Sequence, residues 1–319
     1  MCGLFGFSSY GSSGIKDLNV LTNSLAEHSA ERGTDATGIA FCNGKKISIL
    51  KEPKSAYKIK FKHSDKISAL VGHTRHATQG KVNLNYNNHP FSGRVRNATF
   101  ALAHNGVLMN DNELRKSLRL PKTKIETDSY IAVQLIESKK ALNADSIKYM
   151  AESVNGSFSF SILDNMNTIY LVKGDSPLSI IHFPKHKLYV YASTDEILWR
   201  SLIDSPIFEE VKKGDFSEVP INEGDILKIC PNGELMYDKF EYKYYGGRHW
   251  WDFGYEVGTS AFGASDFIDD SPYSRDEYIE DLKCIASLNG YPPEDIDTLL
   301  ENGFSLCEIE EYIYCGAEV

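Results

Sequence analysis

The sequence predicts an α+β fold with largely antiparallel sheets, helices on the outer sheet faces and a small helical extension at the C-terminal end. Three observations support this. Runs rich in Val, Ile, Phe and Tyr follow one another with short turns. Helical apolar spacing recurs between groups of these runs, which is the order expected when helices cover sheet faces. The charge composition changes abruptly near residue 245.

The predicted elements can be justified in chain order. Ile15, Leu18, Leu21 and Leu25 have the spacing of one helical face, which predicts a helix over Ile15–Arg32. Short β-rich runs bounded by Gly, Pro, Asn or Asp predict strands, and apolar spacing between them predicts two further helices. The predicted strands are Ile47–Leu50, Ile67–Thr74, Thr99–His104, Ser157–Leu163, Thr168–Val172, Leu178–Phe183 and Leu188–Ala192, and the two helices are Asp128–Lys139 and Ser146–Val154.

The uneven charge predicts the domain organisation. The chain has 34 Lys/Arg and 44 Asp/Glu, but residues 245–319 hold 17 acidic and only 3 basic residues. That segment therefore carries −14 and residues 1–244 carry +4. Such a break indicates a boundary and excludes a uniformly basic nucleic-acid-binding protein. We predict a main domain at 2–243, a Gly/Tyr/Asp-rich linker or packed arm at 244–271, and an acidic three-helix extension at 272–319.

The acidic extension has the sequence signals of short helices. Ser274–Glu277 and Ser305–Glu308 are capping boxes, and Pro293 is placed to begin a helix. Its negative charge would repel a nucleic-acid backbone, so we expect no direct nucleic-acid binding. Two roles remain open: the extension folds back over the main domain and suppresses it, or it presents its helices to a partner protein, which we favour.

The cysteine pattern, the length of the apolar runs and the N-terminal segment indicate the cellular compartment. Six cysteines are scattered without a CxxC pair, which disfavours a zinc ribbon or a secreted disulfide framework. No apolar run approaches the ~18 residues of a membrane helix, and the N-terminal segment lacks the features of a signal peptide. We therefore expect a cytoplasmic protein without a membrane partner.

Cys2 is the sharpest chemical feature. Removal of Met1 would leave a cysteine whose thiol and free α-amino group share one residue. An α-amine has a pKa near ~8, so a fraction of it is an unprotonated base at neutral pH. A thiol beside such a base is an activated nucleophile.

Further segments follow Cys2-Gly-Leu-Phe-Gly in a fixed order. They are Arg32–Gly38, Gly72–Gly80, Asn88–Pro90, His104–Gly106, Glu126–Asp128, Ser176–Leu178, Ala192–Asp195 and Glu223–Asp225. Together they resemble the class II glutamine amidotransferases, which are N-terminal-nucleophile (Ntn) hydrolases, over residues 2–240. Within that family the resemblance is closest to the glutaminase domain of glucosamine-6-phosphate synthase.

The resemblance implies both a fold and a reaction. It implies a four-layer α/β/β/α Ntn-hydrolase sandwich with Cys2 at the end of a central strand. It also implies hydrolysis of L-glutamine to glutamate and ammonia through a Cys2 glutamyl thioester. Asn105 and Gly106 match the oxyanion hole, whose amide N–H groups stabilise the developing negative charge. Arg32 matches an arginine that supports the loop of the nucleophile.

The resemblance also implies the residues that bind the two ends of glutamine. Arg75 offers a planar fork of donors to the α-carboxylate, and Thr78 adds a hydroxyl beside it. Asp128 suits the α-ammonium, although an aspartate before a helix is also a common N-cap. His73, His76, His89 and His104 lack acidic partners and metalloenzyme spacing, so we predict no metal and no cofactor.

The lysines and the activity each leave a second interpretation open. The lysines from Lys51 to Lys66 are interpreted as a solvated face, and they could instead dock an acidic partner or the acidic tail of this chain. An Ntn amidase acting on another γ-glutamyl compound and a non-catalytic binding module are the rival functions. In the synthase that this domain most resembles, Trp is common at the position of His76 and His at that of Gln79, which puts coupling to an acceptor domain in doubt but not the hydrolysis.

The residues after 245 are too few for a synthase domain. We therefore expect a separate synthetase chain to accept the ammonia.

Overall fold

The computed structural model describes residues 2–11, 17–43, 45–64, 66–243 and 291–301, together with Ile279, Lys283, Ala286 and Ile309. The chain forms two compact units, Met1–Tyr245 and Gly246–Val319. The predicted domain boundaries stay predictions, because the junction falls outside the described residues.

The first unit alternates short strands with helices. Its strands are β1 (Gly3–Ser9), β2 (Ala36–Asn43), β3 (Lys46–Glu52), β4 (Ala69–Arg75), β5 (Phe91–Arg94), β6 (Thr99–Leu108), β7 (Gly156–Asp164), β8 (Ile169–Lys173), β9 (Ser179–Phe183), β10 (Leu188–Ala192), β11 (Ser217–Glu218), β12 (Asp225–Ile229) and β13 (Leu235–Lys239). Its helices are α1 (Leu18–Ser29), α2 (Asp111–Ser117), α3 (Tyr130–Ser138), α4 (Ala144–Ser153), α5 (Asp195–Ile203) and α6 (Phe208–Lys213).

The strands form two antiparallel sheets. The seven-stranded sheet has the order β11-β9-β10-β1-β4-β2-β3, and the six-stranded sheet has the order β13-β12-β8-β7-β6-β5. In the first sheet β1 lies between β10 and β4, with Phe5 opposite Ala192 on one side and Gly72 on the other. The N-terminal strand is therefore central rather than at an edge.

The two sheets stack face to face and helices cover their outer faces. Leu21 of α1 and Leu198 of α5 pack on the outer face of the seven-stranded sheet, while Ile131 of α3 and Ile147 of α4 pack on that of the six-stranded sheet. A third apolar cluster fills the space between the sheets. This arrangement is the α/β/β/α sandwich, so the predicted fold class is confirmed.

The alternation of side chains along two strands decides which groups face the space between the sheets. Ala69 and Val71 of β4 belong to the cluster between the sheets, so Arg75 lies on the same face of the strand. On β6, Ala101 belongs to that cluster and Asn105 shares its parity, whereas Leu102 packs against the helices. The strand period thus directs Arg75 and Asn105 into the same gap.

Several elements escape prediction from the sequence, and their residues explain why. β2 contains Ala36, Gly38 and Ala40, small residues with little strand signal, although the strand is buried between β4 and β3. Helix α5 begins after Thr194, whose side chain accepts a hydrogen bond from Ile197 N–H. This cap lies inside Ala192–Asp195, a segment that resembles a family motif but carries no predicted helix start. Strands β5, β12 and β13 and helices α2 and α6 are likewise absent from the predicted elements.

The second unit contains a helix, α7 (Pro293–Glu301), which confirms the predicted helix start at Pro293. Ile296 is buried with Ala286 and Ile309 in a small apolar cluster. The predicted capping boxes and the linker or arm at 244–271 lie outside the described residues. Within the described part of both units, no helix is long and apolar enough to cross a membrane.

Candidate active site

Cys2 lies immediately before β1, at one end of the central strand. Its parity with Leu4 and Gly6 directs the side chain toward the space between the sheets. Cys2 Sγ lies 3.4 Å from His76 N and 3.5 Å from His76 O, so the thiol meets the end of β4. Arg32 Nε donates to the Cys2 carbonyl at 2.8 Å and so fixes the backbone of the residue that bears the thiol.

The electrostatic surroundings of the Cys2 thiol act in both directions. Burial is the largest cause and raises the pKa of the thiol above its ordinary value. The hydrogen bond from the His76 backbone and the positive charge of Arg75 lower this pKa, whereas Asp128 raises it. Cys2, Arg75 and Asp128 are therefore close enough to influence one another, although they come from distant parts of the sequence.

Two of the family segments interlock beside Cys2. Asp35 N–H donates to the Arg75 carbonyl at 3.0 Å, and the Asp35 carboxylate accepts from Ala77 N–H at 2.8 Å. Gly33 packs so closely on this backbone that a Cβ there would lie 2.4 Å from the Arg75 carbonyl carbon. The Arg32–Gly38 segment thus holds the backbone on both sides of His76.

Arg75 is 3% exposed, and its guanidinium organises the chain that follows β4. Nη1 donates to Asn88 Oδ1 at 2.6 Å, and Nη2 donates to the carbonyls of Gln79 and Gly80, the latter at 3.1 Å. Three of its five N–H donors are therefore used within the protein. Thr78 is exposed in the bend after β4, and none of the described hydrogen bonds joins it to Arg75.

Lys51 supports Asn88, the hydrogen-bond acceptor of Arg75, and the sequence did not predict this role. Its Nζ donates to the carbonyls of Asn88 at 2.6 Å and Pro90 at 3.2 Å. Burial, reinforced by the charge of Arg75, lowers the pKa of Lys51 to about 8. The interpretation of Lys51 as part of a solvated face is wrong, because the side chain folds inward over the Phe91 ring. Lys54 of the same run is exposed.

Asn105 and Gly106 lie together near the end of β6. Asn105 is 2% exposed, and its Nδ2 is a buried donor without a hydrogen-bond partner among the described residues. Gly106 has φ +132°, and a Cβ there would lie 2.0 Å from the Ser157 carbonyl oxygen. Only glycine fits this close approach of β6 to β7.

Asp128 is 4% exposed and lies just before α3. One of its carboxylate oxygens accepts from Leu108 N–H at 2.7 Å, and the other accepts from Ser129 Oγ at 3.4 Å. Helix α3 has no side-chain cap, so the alternative that Asp128 acts as its N-cap is wrong. Asp128 instead ties the end of β6 to the start of α3.

The buried histidines lie behind these groups. The His73 and His89 rings pack against each other with centroids 4.0 Å apart and planes tilted by 34°, and both His89 nitrogens are buried without a partner among the described residues. Burial lowers the pKa of His73 to about 3 and that of His89 well below its ordinary value. Burial also lowers the pKa of His104, although Asp128 opposes this shift. No group of three described His, Cys, Asp or Glu side chains has metal-binding geometry.

The structure brings most of the predicted site residues together at one end of the sandwich. Cys2, Arg32, Arg75 and Asp128 are linked by hydrogen bonds and charge interactions, and Asn105 shares the gap between the sheets; their catalytic and binding roles remain predictions. Sequence reasoning missed the supporting groups Lys51, Asn88, His73, His104 and Ser129. All but Lys51 lie within or beside one of the family segments, and that proximity is the signal that could have found them.

Comparisons with known proteins agree on one family. Residues 1–154 match the family described as glutamine amidotransferases class-II. A glutamine–fructose-6-phosphate aminotransferase (isomerizing) of Staphylococcus epidermidis is 33% identical over 192 residues, which cover 56% of this chain and 30% of that protein. The corresponding Fusobacterium nucleatum protein is 27% identical over 251 residues, which cover 76% of this chain and 37% of the relative. The chain thus spans about a third of these relatives.

Solved structures agree on the fold. The glutamine phosphoribosylpyrophosphate amidotransferase of B. subtilis, complexed with ADP and GMP, superposes with a TM-score of 0.58 and 22% identity. A structure described as the allosteric regulatory enzyme of purine biosynthesis gives a TM-score of 0.57 and 21% identity. Each comparison covers 76% of this chain and 50% of the other. Residues 1–154 of this chain therefore match the class II glutamine amidotransferases, and the solved structures agree with the fold.

Proposed function

We propose that this protein hydrolyses L-glutamine to glutamate and ammonia, with Cys2 as the nucleophile. The free α-amine of Cys2 takes the thiol proton as sulfur bonds to the amide carbon, and the resulting ammonium returns a proton to the leaving nitrogen. The C–N bond breaks, ammonia leaves and a γ-glutamyl thioester remains. The amine then removes a proton from water, whose oxygen bonds to the carbonyl carbon and displaces the Cys2 sulfur, which regains its proton from the ammonium.

The observation that carries the proposal is Asn105 Nδ2, which is buried and has no hydrogen-bond partner among the described residues. A buried donor without an acceptor costs roughly 1–3 kcal/mol, so its retention calls for an acceptor that arrives with the substrate. The oxyanion formed by attack of sulfur on the amide carbon is such an acceptor, and Gly106 N–H is the natural second donor. Asn105 points into the gap that Cys2 also faces, which supports its assignment to the oxyanion hole.

Two groups of opposite charge support glutamine as the substrate. Arg75 keeps two N–H donors beyond those bonded to described residues, which suits the α-carboxylate. Asp128 lies within electrostatic range of the Cys2 thiol and suits the α-ammonium. Recognition of both ends of a free amino acid disfavours the rival γ-glutamyl amides that lack one of these charges. A substrate panel with and without the α-carboxylate tests this choice.

The test of the proposal is glutamate release by the purified full chain. Cys2→Ala is expected to lose all measurable glutaminase activity and labelling by an electrophilic glutamine analogue, while its thermal unfolding stays that of the wild type. The buried Cys42→Ala is the matched control and keeps the labelling. Intact-mass measurement tests whether Met1 is removed, as the proposed base requires. Wild-type turnover by Cys2→Ala would overturn the assignment of the nucleophile.

We further propose that the ammonia serves a synthetase on a separate chain, with the acidic segment after residue 245 as the docking element. This rests on charge, since residues 245–319 carry 17 acidic and 3 basic residues. Affinity purification from the native source at low and high salt tests it. A partner that co-purifies at low salt and is lost at high salt is expected. Co-purification that is unaffected by deletion of the segment would contradict this role.

A further inference from the structure

We infer that His73 is a positioning residue for the oxyanion site, a step that rests on the function proposed above. Its ring belongs to the seven-stranded sheet, yet its Nε2 lies 2.9 Å from the carbonyl oxygen of His104 in the six-stranded sheet. That carbonyl belongs to the peptide whose nitrogen is Asn105 N. His73 therefore holds the peptide from which the proposed oxyanion donor projects.

The end of β6 requires this support because, in the part of the chain that the structure describes, it has a strand neighbour on one side only. β5 pairs with β6 no further than Leu102, whereas β7 continues to pair as far as Leu108. The segment from Ala103 onward thus lacks a ladder partner on the side that β5 leaves. A buried carbonyl must find a donor to avoid the cost of an unmade hydrogen bond, and His73 supplies it.

The His73 ring keeps one protonation state near neutral pH, so its contact with the His104 carbonyl does not change there. Burial lowers the pKa of His73 to about 3, so the ring is neutral near neutral pH. A carbonyl oxygen only accepts, and therefore the single ring proton is on Nε2. The His89 ring packs on His73 with centroids 4.0 Å apart and tilted planes, and it in turn lies 4.4 Å from the Phe91 ring. These ring contacts restrict the direction in which Nε2 points.

The His104 side chain extends the same support to the ammonium-binding group. Its Nδ1 lies 2.8 Å from Ser129 Oγ, and Ser129 donates to Asp128 at 3.4 Å. Thus the backbone of His104 is bonded to the His73 ring, and its ring is bonded to Ser129. The two connections act on different groups: His73 on Asn105, which serves the transition state, and Ser129 on Asp128, which serves substrate binding.

The kinetic consequences of the two connections differ. A misplaced oxyanion donor weakens only the stabilisation of the transition state, so kcat falls while KM is unchanged. A misplaced Asp128 weakens the bound substrate and the transition state alike, so KM rises while kcat is kept. Loss of an entire oxyanion donor costs about 10²–10³ in turnover. For His73→Leu we expect part of that effect, roughly a 10- to 100-fold loss in kcat.

The closing experiment compares His73→Leu with His73→Gln and Ser129→Ala in the full chain. His73→Gln places an amide N–H near the position of Nε2, and is expected to restore kcat to within about threefold of the wild type. Ser129→Ala is expected to raise KM several-fold with little change in kcat. A drop in kcat that His73→Gln fails to restore, or equal kinetics for all variants, would overturn the inference.

A second readout does not depend on activity. The Asn105 side-chain amide is followed by NMR after selective ¹⁵N-asparagine labelling, with Asn105→Ala used to assign its signal. His73→Leu is expected to shift this signal and His73→Gln to return it toward the wild-type position. If His73→Leu leaves it unmoved, the inference fails even in an active enzyme. If the wild type does not release glutamate but this pattern holds, the proposed function fails while the positioning of Asn105 stands.

Discussion

Arg32 Nε donates a 2.8 Å hydrogen bond to the backbone carbonyl of Cys2 and so joins the 3-10 turn after α1 to the residue that bears the thiol. The contact is to the main chain rather than to sulfur. It therefore fixes where the thiol and the adjoining α-amine lie, whatever the protonation state of the thiol. Burial lowers the pKa of Arg32, but a guanidinium remains charged near neutral pH.

The first prediction is that Arg32→Leu lowers kcat/KM by roughly 10- to 100-fold. A hydrogen bond from a charged group contributes about 1.5–3 kcal/mol, and 1.4 kcal/mol corresponds to a tenfold change. Steady-state glutamate release measures the effect. The exposed Arg200→Leu, which removes only surface ion pairs, is the matched control and should stay within about twofold. An Arg32→Leu enzyme as active as this control would contradict the assigned support of Cys2.

The second prediction is that Gly106→Ala is poorly tolerated, because a Cβ would lie 2.0 Å from the Ser157 carbonyl oxygen. The backbone of β6 or β7 must then move, so we expect a loss of more than about 3 kcal/mol in the free energy of unfolding. Gly214→Ala is the control, since Gly214 also has a positive φ, +69°, but no described atom within 4 Å of its Cβ position. Denaturant unfolding compares them, and similar losses would contradict the close approach of these strands.

The third prediction concerns Lys51, whose ammonium donates to Asn88 and thereby supports the acceptor of Arg75. Lys51→Met is expected to raise KM for glutamine several-fold with a smaller effect on kcat, because Arg75 is proposed to bind the substrate carboxylate in ground and transition states alike. Lys54→Met, on the exposed part of the same run, should leave KM unchanged.

The pKa of Lys51, about 8, adds a pH signature to this prediction. Above that pH the amine loses its charge, and its hydrogen bonds to the carbonyls of Asn88 and Pro90 weaken. The wild-type KM should therefore rise as the pH increases through about 8, and Lys51→Met should lack that inflection. An inflection of the same size in Lys51→Met would assign it to another group.

The fourth prediction is acid sensitivity of the fold from His73 and its neighbours. In the folded protein the pKa of His73 is about 3, against an ordinary value of 6.5. Below about pH 6.5 the unfolded chain therefore binds a proton at His73, whereas the folded chain binds that proton only near pH 3. Stability is fully present above pH 6.5 and falls as the pH drops toward 3. The lowered pKa values of His89 and His104 act in the same direction.

Denaturant midpoints measured from about pH 7 to pH 4 test this dependence. His73→Gln has no ring to protonate, so its midpoint should fall less steeply with acid than that of the wild type. The exposed His76→Gln serves as the control and should keep the wild-type slope. Identical slopes for wild type and His73→Gln would show that the acid sensitivity arises elsewhere.

The sequence could predict the sandwich and the main members of the site, because ordered motifs and strand alternation are local signals. Cys2, Asn105 and Asp128 each lie in a short segment with a recognisable pattern. The supporting contacts join distant positions. Lys51 looks like any exposed lysine on an edge strand until Asn88, 37 residues later, folds against it. The His73 contact with His104 crosses from one sheet to the other, which no periodicity within either strand can indicate.

The central place of β1 has a consequence for how the protein is made. Phe5 is synthesised long before its strand partner Ala192, and Ser193 Oγ accepts from Leu4 N–H at 2.8 Å. Pairing over such a separation is slow and requires most of the domain to have emerged. During synthesis β1 therefore keeps an open edge until Ala192 has been made, and the residue that bears the thiol is held on that side only afterwards.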